Sequence, residues 1–211
     1  MRFFTLLVIS FLSVTGFGQM THFDSYGPIY MDGQVKGWEN QTIHMYNTNI
    51  QKGRRPLDST KTDAEGRFVW DTAIPFGDYF VLGFGRIPMN IVLKANDSIS
   101  FTMDVANPNG VKFERSPDSE LLLEWIIEFE AFKKVADSLK KVARVAPHRS
   151  AEIEAEYKPL AEEFSKKRND WVAKHTDSPA LIATLSSFDQ KAEWKGYTEV
   201  VRYLNESFGS S

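Results

Sequence analysis

The chain has 211 residues, a formal net charge of -3, 42% hydrophobic residues and no cysteine. Without cysteine there is no thiolate nucleophile, no disulfide framework and no CxxC redox pair, so stability must come from burial. Basic residues are spread along the chain rather than clustered, which argues against a nucleic-acid partner.

The first nineteen residues, MRFFTLLVISFLSVTGFGQ, carry Arg2 ahead of an apolar run from Phe3 to Val14, with small residues at Gly16 and Gly18. That layout predicts a secretory signal peptide over residues 1–19, cleaved near Gly18 or Gln19. The apolar run falls short of the roughly 20 residues that span a bilayer as a helix. The expectation is an exported protein, periplasmic or secreted in the cell envelope, with no transmembrane span after cleavage.

From about Tyr30 to Glu114 the hydrophobic pattern has period two. Ile99, Phe101, Met103 and Val105 alternate with polar residues as a half-buried strand does. Similar runs occupy Tyr30–Trp38, Thr42–Tyr46, Leu57–Thr62, Arg67–Trp70, Tyr79–Phe84, Asn90–Lys94 and Val111–Glu114. Asp63-Ala64-Glu65-Gly66 reads as a hairpin turn, with Gly66 supplying a positive φ. A calcium loop would need further oxygen ligands at alternating positions. Ile74–Tyr79 reads as a second corner, and Asn107-Pro108-Asn109-Gly110 as turn chemistry of the same kind. Seven or eight closely spaced strands without intervening helices predict an antiparallel β-sandwich over residues 20–115.

At Ser116-Pro117 the period changes. A cap followed by proline opens a helix whose residues Leu122, Trp125, Phe129, Phe132, Ala136, Leu139 and Ala143 recur three and four apart. A second helix is expected over Ser150–His175, bent at Pro159. Ser178-Pro179 opens a short helix through Leu185. Ser187 with Gln190 forms a capping box for a last helix bearing Trp194, Tyr197, Val201, Leu204 and Phe208. The fold class expected is α+β, a sandwich followed by a helical region of three or four helices over residues 116–211.

The residues that could carry chemistry do not assemble into a motif. His22, His44, His148 and His175 are far apart, and no HExxH spacing occurs. No serine elbow is present. Glu124, Glu128, Glu130, Glu152, Glu154, Glu156, Glu162 and Glu163 lie among lysines and read as solvated helical faces. No catalytic, cofactor-binding or metal-ligating residue is assigned, no cofactor is expected, and the chain is read as not an enzyme. Of five tryptophans, Trp125, Trp171 and Trp194 fall on apolar stripes and Trp70 shares a face with Phe68, which assigns all four to packing. Trp38, beside Gly37 and Asn40, is the one expected to be exposed.

Gly33-Gln34-Val35-Lys36-Gly37, Ser59–Asp63 with Gly66-Arg67-Phe68, and Gly77-Asp78-Tyr79 resemble the transthyretin-like, carboxypeptidase-regulatory-like β-sandwich. With Val111–Leu121 and His175–Leu185 they resemble more closely the extracytoplasmic domain of unknown function that precedes thioredoxin-fold domains. Those domains occur in secreted thiol-disulfide oxidoreductases of the TlpA and AhpC/TSA type in Bacteroidetes. The likeness covers most of the mature chain and implies a thioredoxin-associated accessory role, but the thioredoxin domain itself is absent. The leading expectation is therefore a non-catalytic exported interaction module with a protein partner or a homo-oligomeric state. The alternatives are a small-ligand or glycan-binding envelope protein, with its site at the seam between sandwich and helices, and a truncated N-terminal part of an oxidoreductase.

Overall fold

The computed structural model describes residues 27–47, 56–74 and 78–208. The signal-peptide segment 1–19, His22 and the middle of the Ile74–Tyr79 corner lie outside the described residues. Among the described residues, eight strands precede the helices: β1 (Gly27–Lys36), β2 (Thr42–Asn47), β3 (Asp58–Lys61), β4 (Arg67–Ile74), β5 (Asp78–Phe84), β6 (Ile87–Leu93), β7 (Ser98–Asp104) and β8 (Asn107–Phe113). They form two four-stranded sheets, ordered β4-β1-β7-β8 and β3-β2-β5-β6.

Alternate side chains of each strand point between the sheets, as period two requires. Ile29, Met31 and Val35 of β1 meet Ile43 and Met45 of β2, Phe68 and Trp70 of β4, and Phe101 of β7 in one core. In β6 the alternation fails, because Ile91, Val92 and Leu93 are all buried. Ile91 and Leu93 belong to the sandwich core, while Val92 belongs to the helical core on the other face.

One ladder departs from the antiparallel expectation: β1 and β7 run parallel, with Gly33 opposite Phe101. The chain leaves the first sheet after β1, returns for β4 antiparallel to β1, leaves again and returns as β7 alongside β1 in the same direction. Gly33 lets the backbones approach, since a Cβ there would lie 2.0 Å from the Phe101 carbonyl oxygen.

The Asp63–Gly66 segment is a turn, with Gly66 at φ 75°. The strands it joins, β3 and β4, nevertheless belong to different sheets, so it is a corner and not a ladder hairpin. The Trp70 indole donates to Asp58 Oδ2 across this corner at 3.0 Å. Asn107–Gly110 was expected as a turn and instead starts β8. The turn lies at Val105-Ala106, where Asp104 Oδ1 accepts the Ala106 N–H at 2.9 Å. Pro108 is tolerated because β8 is an edge strand.

The helices are α1 (Pro117–Val145), α2 (Ser150–Lys174) and α3 (Trp194–Phe208), with a nine-residue 3-10 segment at Pro179–Ser187. Pro159 sits inside α2, which continues on both sides of it. Ser178 caps the 3-10 segment as expected, accepting the Ala180 N–H at 3.2 Å. Three hydroxyls then donate to carbonyls three residues back: Thr184 to Leu181, Ser186 to Ala183 and Ser187 to Thr184. Side-chain bonds of this kind compete with the α-helical ladder, and the tighter winding results. The Ser187–Gln190 capping box does not form. Asp189 takes that place, its Oδ1 accepting the Lys191 N–H and its own N–H donating to Glu193 Oε2 at 3.0 Å.

Candidate functional site

The seam between sandwich and helices is closed by apolar packing and a polar latch. Val92 of β6 is buried with Leu122, Ala180 and Leu181. The Val92 N–H donates to Ser119 Oγ at 3.1 Å, and Ser119 Oγ donates to the Val92 carbonyl at 3.3 Å. Ser116 Oγ donates to Ser119 Oγ at 2.7 Å, so its hydroxyl serves the seam and makes no cap bond to the helix backbone. Asp118 pairs with Lys94 and accepts from Ser178 Oγ at 2.6 Å, which ties β6, α1 and the 3-10 segment together. Burial in the same region pushes the Tyr79 hydroxyl up to about 12.

Asp97 lies at the edge of this latch, where its Oδ2 accepts the Lys94 N–H at 2.7 Å. Burial raises its carboxyl above the ordinary 3.8; the bond and charge of Lys94 oppose this, and the Asp118 charge adds to it. A carboxyl whose pKa is raised by folding favours the fold below its unfolded value and loses that contribution as pH rises through the folded one. Asp97→Asn should therefore gain about 0.5 kcal/mol at pH 7 and nothing at pH 3. Urea midpoints at the two values test this, and a loss at pH 7 would contradict it.

The carboxylates of the Asp63–Gly66 corner are engaged locally. Arg67 Nε donates to Asp63 Oδ2 at 2.9 Å and Nη2 to Glu65 Oε2 at 2.8 Å, while Asp63 Oδ1 accepts the Glu65 and Arg67 N–H groups. Among the described residues no group of three His, Asp or Glu side chains is placed to hold a metal ion.

Two tryptophans sit otherwise than expected. Trp38 packs against the sandwich core, edge-on to Phe84 at 6.3 Å, and its indole donates to the Thr42 carbonyl at 3.1 Å. Trp194 is 61% exposed and stacks on Tyr197 at 5.7 Å. The amphipathic stripe on α3 is carried instead by Tyr197, Val200 and Leu204, which face the helical core.

An apolar concavity runs along the α1–α2 hairpin. Phe132 stacks on Phe164 at 4.1 Å, and Trp125 lies 5.6 Å from Phe164 and 5.3 Å from Trp171, so an aromatic ladder forms the floor. Trp125 and Trp171 are 2% and 9% exposed, and neither indole N–H has an acceptor among the described residues. Above this floor are two adjoining hollows of about 220 and 360 Å³. The first is lined by Ala131, Phe132, Val135 and Leu160, the second by Trp125, Ile127 and Trp171. Glu128 and Lys167 line both, bridging α1 to α2 at 3.1 Å.

A second apolar row on α1 flanks the groove. Ile127, Ala131, Val135, Val142 and Val145 recur at helical spacing and share one face. Ile127, Val135 and Val145 are exposed, Val135 at 46%. This row is distinct from the inward stripe of Leu122, Trp125, Phe129, Phe132 and Ala136 on the same helix. Glu124, Glu128 and Glu163 do not form an acid and base pair; they stand on the rim of this groove with Lys167.

Fold and groove together define an α+β protein in which a two-sheet region carries a helical hairpin with an open apolar side. No protein-family model, curated protein or solved structure matches the chain.

Proposed function

We propose that this is an exported, non-catalytic accessory module that holds a protein partner on the α1–α2 hairpin. The reading is carried by the second apolar row on α1, whose exposed Ile127 and Val135 border a groove with an aromatic floor. Exposed apolar surface organised in this way is the mark of an interaction site. The signal-peptide layout of residues 1–19 supports export, and the resemblance to the domain that precedes thioredoxin folds supports an accessory role.

Photo-crosslinking in producing cells tests the reading. A benzophenone side chain at position 127 or 135 should give a discrete adduct on the processed, exported chain. The same group at Val69, exposed on the sandwich, should give none. A chain that forms no adduct from the groove and sediments as a monomer in envelope extract would refute the reading. Mass spectrometry of the adduct also tests whether the partner is a thioredoxin-fold protein, as the resemblance suggests.

The exposed Trp194 stacked on Tyr197 favours a second reading, an envelope protein that binds a small ligand or glycan by ring stacking. A thermal-shift screen of saccharides, with a shift abolished by Trp194→Ala, is its test.

A further inference from the structure

We infer that the α1–α2 groove takes an amphipathic helix with basic flanks, supplied by a different protein. This rests on the interaction-module reading and specifies its partner. Along α1 the two hollows run from Glu124 to Ala136, twelve helical steps or about 18 Å at the helical rise. That length suits a partner helix of about three turns lying between α1 and α2, in the helix-in-groove mode. Phe132, Val135 and Leu160, which line the first hollow without being fully buried, offer such a helix apolar anchoring.

Charge selects among occupants. The lining holds three glutamates, Glu124, Glu128 and Glu163, against one lysine, Lys167. Lys167 is already engaged, 3.1 Å from Glu128 and 3.7 Å from Glu163. The rim is therefore net acidic. A second copy of this chain docking groove to groove about a two-fold axis would set acidic rim against acidic rim, and an acidic helix would meet the same repulsion. Lysine or arginine flanking an apolar face complements the rim.

The test uses the purified mature chain and fluorescein-labelled 18-residue peptides with leucine at i, i+3, i+4 and i+7. One carries lysine at the remaining positions and the other glutamate. Anisotropy should rise to saturation with the Leu/Lys peptide and stay flat with the Leu/Glu peptide. Val135→Asp should weaken binding about tenfold or more, and so should Glu124→Lys with Glu163→Lys. Asp71→Lys with Glu114→Lys, an equal charge change on the sandwich, should leave affinity within twofold. Equal binding of both peptides would overturn the inference, as would equal loss in the two charge-reversed variants. A reversible dimer abolished by Val135→Asp would overturn it in favour of a second copy. Groove adducts in cells with no Leu/Lys binding would remove the basic helix and leave the interaction reading standing.

Discussion

Glu193→Ala should lower the free energy of unfolding by about 3 kcal/mol. Its partner Arg168 projects from α2 into the helical core and is 1% exposed. Arg168 Nη1 donates to Glu193 Oε2 at 3.1 Å and to the Ser187 carbonyl at 2.8 Å, and Nη2 donates to Glu193 Oε1. The guanidinium also lies 3.7 Å over the centre of the Phe188 ring. Removing the carboxylate leaves a buried cation without its counter-charge, which typically costs about 3–5 kcal/mol. The lower end applies because the Glu193 side chain is 30% exposed and water reaches that side.

The pH dependence has a definite sign. Partial burial raises the Glu193 carboxyl, but the bonds from Arg168 and Asp189, the Arg168 charge and the Ser165 hydroxyl together hold it below the ordinary 4.5. A carboxyl lowered by folding contributes stability above its unfolded value and loses it as pH falls through the folded one. The cost of Glu193→Ala should therefore be complete at pH 7 and shrink below pH 4.5. Replacing both partners, Arg168→Met with Glu193→Met, should recover part of the loss, because no charge is then left alone. Urea unfolding followed by tryptophan fluorescence measures all three, and a loss under about 1 kcal/mol at pH 7 would refute the account.

The pair also shows which features of this fold could be read from sequence. Strands β1, β2, β4 and β7 were visible because one face of each is largely buried and the other more solvated, so side-chain chemistry alternates with the backbone. Helices α1 and α2 were visible for the same reason at a different period. The parallel β1–β7 ladder was not, because pairing of strands so far apart leaves no local signature. Arg168 looked like one more charge on a helical face, and only Phe188 and Glu193, brought in by the 3-10 segment, make it a core residue. The groove was half legible. Its inward row was found, whereas Ile127, Val135, Val142 and Val145, at the same spacing, would have shown a second stripe that a two-helix hairpin cannot cover.

Gly66→Ala should cost about 3 kcal/mol, from left-handed backbone strain and from overpacking. Gly66 lies at φ 75°, and a Cβ there would sit 2.4 Å from the Val35 carbonyl oxygen and 3.1 Å from its carbon. Val35 cannot easily withdraw. Its own N–H donates to the Gly66 carbonyl at 2.8 Å, and its strand is held between β4 and β7. The corner is fixed from the other side as well, since Asp63 N–H donates to the Arg67 carbonyl at 2.8 Å. Gly110→Ala is the control. A Cβ at Gly110 would meet chiefly the Asn107 side-chain amide, at 2.6 Å, and that flexible group can turn away, so the cost should stay within about 1 kcal/mol. Urea midpoints for the two variants decide the matter: equal losses would mean that the corner tolerates a side chain, and that Asp63–Gly66 does not lock the second sheet to β1.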